Sequence, residues 1–322
     1  MPNRLSMRLA HSHFWQRGFP GQASDKSVNE WSEAIYRPAM NLTTNDMYNL
    51  TMQGATSHLQ KGITTAFNFA YSPMFRDGLA DRAQFTAALE SGIRFVHGFN
   101  VGALTPQWCQ DQALARTQSF LKWASFRWQW LKNAGLLNER PILGHFLHPT
   151  PSMLKEAAQA GMRMSWNPMS NGRLGSGIAD IPEYLRSGLG IGLGVDGEAS
   201  SDRCDPFENM RMGLYSIRGK NKDPSILTTR EVLYMHTLGA AQTLGIADKV
   251  GSLEVGKQAD IVLLDPPVTW TLDDPVSTLV LSAGVENIHA VFVGGAEQWP
   301  RRPSAAESAY NSSWQVWTFP SN

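Results

Sequence analysis

Two histidines separated by one residue, His11 and His13 in RLAHSHFWQRG, are the first side chains here whose spacing could do chemistry. On a β-strand, residues i and i+2 project to the same face. Two imidazoles so placed can grip one divalent ion. With eight histidines in 322 residues, chance alone yields about 0.2 such pairs, so the pair needs company to carry meaning. Asp196, in LGVDGEASSD, ends an apolar run and is followed at once by Gly197. A carboxylate at the C-terminal end of a parallel strand sits where barrel enzymes keep their chemistry; the alternative is an Asp that caps the turn behind it. His145 and His148, in GHFLHPT, end another apolar run, and at i and i+3 at most one of them faces inward on a regular strand. His58 and His236 fall in helical patterns and His289 in a C-terminal strand region, which reads as structural; His97, at a strand end without a partner nearby in sequence, stays ambiguous.

Stepwise alternation of strands and helices would position these groups. Strands are expected at LQKGITTAFNFAY (59–71), GIRFVHGFN (92–100), PILGHFLH (141–148), MRMSWNP (162–168) and LGIGLGVDG (189–197). Helices are expected at 81–92, 151–161 with Ser152 as its cap, 181–188, and as one continuous element over 228–245. This βα beat implies parallel strands with crossover helices, buried on both faces. Beyond residue 247, GSLEVGKQADIVLLDPP and IHAVFVGGAEQW read as antiparallel strands with glycine turns. The tail RRPSAAESAYNSSWQVWTFPSN is polar and loop-like.

Bulk composition narrows the classes. Lys+Arg and Asp+Glu balance at 28 each, so no net field favours nucleic acid or an anionic membrane. No apolar run reaches the length of a membrane span, and the N-terminus lacks a signal-peptide core. Cys109 and Cys204 match no metal-ribbon spacing and read as reduced thiols in a cytoplasmic protein.

The order His-x-His, a later strand-end His, then Asp-Gly resembles the amidohydrolase superfamily, in its chlorohydrolase and cytosine-deaminase-like branch. AHSHFWQRGFPGQASD, KGITTAFNF, GLLNERPILGHFLH, SWNPMSNGRLGSGIADI, GLGVDGEASSD and GSLEVGKQADIVLLD resemble family segments in family order. The resemblance implies an α/β fold: a (β/α)8 TIM barrel over 1–247 and a small C-terminal β-sandwich remnant over 248–322. It makes His11, His13 and Asp196 metal ligands, with His145 and Asp196 catalytic and Gln16 and Asn171 lining the substrate pocket. The implied cofactor is one divalent ion, zinc first, with iron or manganese also suited to the ligands. A bound ion can lower the pKa of water from 15.7 to about 7, giving hydroxide for attack on a C–N or C–Cl bond of a small nitrogen-containing ring. The implied partner is therefore a small-molecule substrate, with neither nucleic acid nor membrane.

The sequence departs from the family at two places. The family's fifth strand carries a third metal-binding His followed three residues on by a proton-shuttling Glu, and no His-x-x-Glu occurs here. Only about forty residues separate GIRFVHGFN from PILGHFLH, while a barrel takes about 250 for eight units. Strands four and five are thus expected to be missing, as are sandwich strands ahead of His11. The barrel is expected to be incomplete or distorted, its exposed strand edges covered by the helix around Trp123, Phe126, Trp128 and Trp130 or by homo-oligomerisation. A catalytically degenerate homologue that binds a ligand or partner protein is the alternative function.

Overall fold

β-Branched and apolar runs form the strands, and capped amphipathic segments form the crossovers that parallel pairing requires. The computed structural model describes residues 4–70, 79–98, 128–129, 131–265 and 274–300. In chain order the elements are β1 (Arg4–Leu5), β2 (Met7–His13), α1 (Val28–Ala39), α2 (Thr44–Gln60), β3 (Ile63–Phe69), α3 (Leu79–Glu90) and β4 (Arg94–Gly98). β5 (Ile142–Gly144), α4 (Pro151–Gln159), β6 (Arg163–Trp166), α5 (Pro168–Arg173), α6 (Ile181–Arg186), β7 (Gly190–Leu193) and β8 (Asp196–Gly197) follow. The remainder is α7 (Pro206–Asn221), α8 (Thr229–Met235), α9 (Leu238–Thr243), β9 (Ile261–Leu264), α10 (Pro275–Ser282), β10 (Ile288–Val293) and β11 (Ala296–Pro300).

The result is an α/β fold with three sheets among the described residues. Two are parallel, ordered β4-β3-β2-β8 and β5-β6-β7, and one is antiparallel, ordered β1-β9-β10-β11. No closed barrel forms among these residues: β4 and β5 each pair on one side only. The chain passes from one parallel sheet to the other through Gly194 and Val195, where the Gly194 amide donates to the Trp166 carbonyl at 2.9 Å. The single strand expected over 189–197 is therefore two strands in two sheets. Asp196, at φ +64°, makes that turn.

Three other expectations change. Thr150, not Ser152, caps α4: its hydroxyl accepts from the Met153 amide, and Pro151 takes the first helical position, where its missing N–H costs nothing. The helix expected over 228–245 breaks at His236 and Thr237 into α8 and α9, because Thr237 adopts φ −124°, ψ −96°. At the N-terminus, Arg4 and Leu5 pair antiparallel with Leu263 and Val262, so the first residues join the sheet built from the C-terminal strands.

One buried core runs through Met7, Leu9, Ile63, Met164, Trp166, Ile191, Leu193 and Phe207. The helix α2 presses on the turn after β2; a Cβ on Gly54 would stand 2.2 Å from the Phe14 carbonyl oxygen. The expected cover by the tryptophan-rich helix falls mostly outside the described residues, as do Trp123, Phe126, Trp130, Cys109 and the tail from 301. Trp128 is described: its ring stacks on Phe146 at 5.9 Å and its indole N–H donates to Glu156 at 3.1 Å. Among the described residues no helix is long and apolar enough to cross a membrane.

Candidate metal centre

Strand β2 delivers His11 and His13 to one side of its C-terminal end, with their Nε2 atoms 3.2 Å apart. Asp196 at the start of β8 pairs with Ser12 across the strands. Its Oδ1 lies 3.4 Å from His11 Nε2 and 3.3 Å from His13 Nε2. The structure thus brings together three groups separated by 183 residues or more between histidine pair and carboxylate (196 − 13 = 183). All three are largely buried, their side chains 9–12% exposed.

His145 comes from just beyond β5. Its amide donates to the Ser165 carbonyl, and it and Phe146 adopt φ +63° and +42°, a left-handed conformation that costs a non-glycine residue free energy. That pair of residues turns the imidazole towards Asp196, whose Oδ2 lies 3.5 Å from His145 Nε2. His148, three residues on, faces away: its Nε2 donates to the Ser176 carbonyl at 3.0 Å on the surface. His97 lies on β4 against Phe85 and Phe95, its ring nitrogens buried and without a hydrogen-bond partner among the described residues.

Outer contacts fix these rings. The His13 Nδ1–H donates to the Phe69 carbonyl at 2.8 Å, which in the neutral ring leaves the Nε2 lone pair facing the centre. The Ser170 hydroxyl donates to Asp196 Oδ2 at 2.6 Å. The Asn171 amide meets His145 Nδ1 at 2.8 Å and the Asn167 amide lies 3.4 Å from its Nε2. Gln16 is buried, donating to the Tyr36 hydroxyl at 3.1 Å while its Oε1 has no partner. Sequence reasoning did not single out Ser170 or Asn167, although both stand in the SWNPMSN segment. His58, read as structural, is buried, and its Nε2 meets the hydroxyl of Ser12, between the two site histidines, at 2.8 Å.

Burial lowers the His11 pKa to about 4, against the opposing hydrogen bond and charge of Asp196; the ring is neutral at pH 7. Burial by itself would raise the Asp196 carboxyl. Contact with the His11 and His13 rings and the nearby His145 outweighs it and holds that carboxyl well below its usual range. A neutral His11 ring beside an ionised Asp196 carboxylate is the pair of protonation states a cation requires of them.

The fit to an ion rests on spacing. Ligand atoms about 2.0–2.1 Å from a tetrahedral zinc ion stand about 3.3–3.4 Å from one another. The observed separations among His11, His13 and Asp196 are 3.2–3.4 Å.

A second group lies behind the sheet, where ligand-type atoms of His58, Glu198 and Cys204 fall within 4.8 Å of one another, all buried. Here cations already hold the carboxylate: Arg17 Nη1 lies 2.8 Å and Lys61 Nζ 3.4 Å from Glu198 Oε1. Lys61 also stands 3.2 Å from the Cys204 sulfur. Burial pushes the Cys204 thiol up to about 12 and the His58 ring down to about 4.

Residues 125–297, more than half of the chain, match the amidohydrolase family. A 5-methylthioadenosine/S-adenosylhomocysteine deaminase of Desulforudis audaxviator is 28% identical over 339 residues, covering 88% of this chain and 78% of that protein. An S-triazine hydrolase of Gordonia rubripertincta is 32% identical over 170 residues, covering 52% of this chain and only 36% of the relative's length. In fold, the chain is similar to a zinc-bound adenosine deaminase from Xanthomonas campestris, at TM-score 0.77 and 21% identity, covering 95% of this chain and 83% of that one. It is equally similar to the atrazine chlorohydrolase TrzN from Arthrobacter aurescens complexed with zinc, at TM-score 0.77, 20% identity, 96% of this chain and 87% of that one. With its matched segment and its converging histidines and aspartate, the chain belongs to the amidohydrolase family, enzymes acting on carbon–nitrogen bonds other than peptide bonds.

Proposed function

We propose that this chain is a metal-dependent hydrolase or deaminase that attacks a C–N or C–Cl bond of a small nitrogen-containing ring. One divalent ion, zinc in first place, would be held by His11, His13 and Asp196. The carrying observation is the 3.2–3.4 Å spacing of those three donor atoms in a cluster with no Lys or Arg at ion-pair distance among the described residues. When bound, such an ion supplies Lewis acidity, acidifying water and drawing electron density from the atom under attack.

The chain's own residues do the rest. Asp196 Oδ2, free of the histidine pair, takes up the proton of the attacking water and returns it to the leaving nitrogen. His145, held by Asn171, steadies the negative charge that develops on the substrate. Phe67 and Phe69 stack at 6.1 Å and lie beside His11 at 6.3 and 5.8 Å, a wall suited to a flat ring. The two parallel sheets read as an incomplete TIM barrel spanning 1–247, with the β-rich segment from 248 as the remnant of a sandwich. The sides of β4 and β5 that pair with no strand among the described residues are the edges a second copy would cover. The second reading, a catalytically degenerate homologue that binds a ligand or partner, draws on the absence of His-x-x-Glu.

Metal analysis of the dialysed protein, with His11→Ala beside it, tests the proposal. Wild type is expected to retain metal or regain it on addition of zinc, and to release ammonia or chloride from a panel of amino-purines, aminopyrimidines, triazines and cyclic amides. Absence of metal after zinc addition, or turnover unchanged in His11→Ala, removes the mechanism.

A further inference from the structure

A cavity of about 750 Å³ opens beside His11. Its lining comes from β4 and β5, which each end a parallel sheet among the described residues, and from β2, β3 and β6. Phe67, Phe69, Val96 and Ile142 make its walls, and Gln242 to Gly245, at the end of α9, line it as well. Arg163 and Arg140 line the same cavity.

Arg163 begins β6 and, by the two-residue period of a strand, shares a face with Ser165, whose carbonyl anchors His145. Two residues of strand put it about 7 Å from the level of that anchor. Its side chain lies over Gly190 of β7; a Cβ there would meet Arg163 Nη1 at 2.8 Å and Cγ at 3.1 Å. The glycine is the space the arginine occupies. Only the Gln242 side-chain oxygen, at 3.5 Å, touches this guanidinium, and neither Arg163 nor Arg140 has an ion-pair partner among the described residues. Glu139 also lines the cavity, exposed and beyond ion-pair distance from both. A half-buried guanidinium without a counter-charge, facing an apolar cavity, is a ready partner for a carboxylate.

We propose that Arg163 is a specificity-determining residue that binds a carboxylate on the substrate, on an arm leading away from the ring that packs against Phe67 and Phe69 beside His11. The substrate class is thus a nitrogen-containing ring bearing an anionic arm. This rests on the proposed hydrolase reading for the place of the ring, and on the cavity alone for the place of the arm.

The test uses an aminopyrimidine carrying a propanoate arm and the same ring carrying the propanamide arm. Binding is measured by calorimetry on zinc-loaded and metal-stripped protein, and ammonia release on the loaded form. Wild type is expected to bind the carboxylate at least about tenfold more tightly than the amide, the value of one charge-assisted hydrogen bond. Arg163→Met should bring that ratio close to one, Arg163→Lys should keep part of it, and Gly190→Ala should lower it by displacing the arginine. Circular dichroism and the unfolding midpoint check that each variant is folded. Equal affinities in wild type, no binding of the carboxylate compound, or a ratio that survives Arg163→Met would overturn the assignment. A wild-type preference for the carboxylate that Arg163→Met abolishes, without turnover of either compound, sinks the hydrolase reading and leaves this one standing; equal binding with turnover of both does the reverse.

Discussion

Two clusters of ligand-type side chains lie on opposite sides of β2, and they differ in what faces the carboxylate. At Asp196 the neighbours are imidazoles at 3.3–3.5 Å. At Glu198 they are a guanidinium and an ammonium at 2.8 and 3.4 Å. In the first, the negative charge is left for a cation that the chain does not itself supply. In the second, Arg17 and Lys61 already neutralise it, and the Cys204 thiol keeps its proton. Residue types within reach of one another do not by themselves make a metal site; a carboxylate already paired with two cations has little charge left to offer an ion. Ser12 links the two, its hydroxyl meeting His58 on one side and its backbone pairing with Asp196 on the other.

The contrast can be broken at either cluster. Asp196→Asn should remove metal retention and turnover together, a loss larger than the about 10–100-fold that follows removal of an outer hydrogen-bond partner. Metal content and ammonia release read it, and a variant that keeps both contradicts the first half of the comparison. Ser170→Ala, which deletes the 2.6 Å bond to Asp196, should fall within that about 10–100-fold range in metal affinity or rate. Glu198→Gln should leave metal content unchanged while lowering stability by about 2–3 kcal/mol, less than a fully buried pair because Arg17 is partly exposed. Denaturant unfolding measures that loss, and metal lost in step with Glu198 would show the second cluster to be a binding site after all.

A pH profile sharpens the electrostatics. Burial lowers His58 and His236 from 6.5 to about 4. The unfolded chain therefore takes up protons below about pH 6.5 that the folded chain refuses until about pH 4. Stability from these rings is fully present above pH 6.5 and is lost as pH falls through that window. Unfolding midpoints measured across it should decline with falling pH; a flat profile would mean that neither ring is buried neutral.

Local pattern made much of the framework legible. Glycine stops and β-branched runs marked α4, α6, β3, β4 and β6 to within a few residues, because those signals act within a turn or a strand. Spacing alone suggested a common face for His11 and His13, and an apolar run pointed at Asp196. Contacts that depend on distant chain escaped. The break at His236 is one, where the ring meets the Arg8 carbonyl at 3.0 Å and so ties the end of α8 to β2. Another is the division of LGIGLGVDG between two sheets. A third is the part played by Ser170 and Asn171, whose side chains matter only where β6 and β8 bring them to Asp196 and His145.

By itself the sequence determined the types of donor, their order along the chain and the strand period that pairs His11 with His13. Those properties are covalent or local, so no partner is needed to set them. Tertiary structure decided that His145 and not His148 turns inward, that Asp196 meets both imidazoles, and that Glu198 does not share that fate. Each of these depends on which charges and carbonyls are brought within a few ångströms across long stretches of chain. Electrostatic and hydrogen-bond energies are fixed at that distance, and spacing in sequence does not encode it.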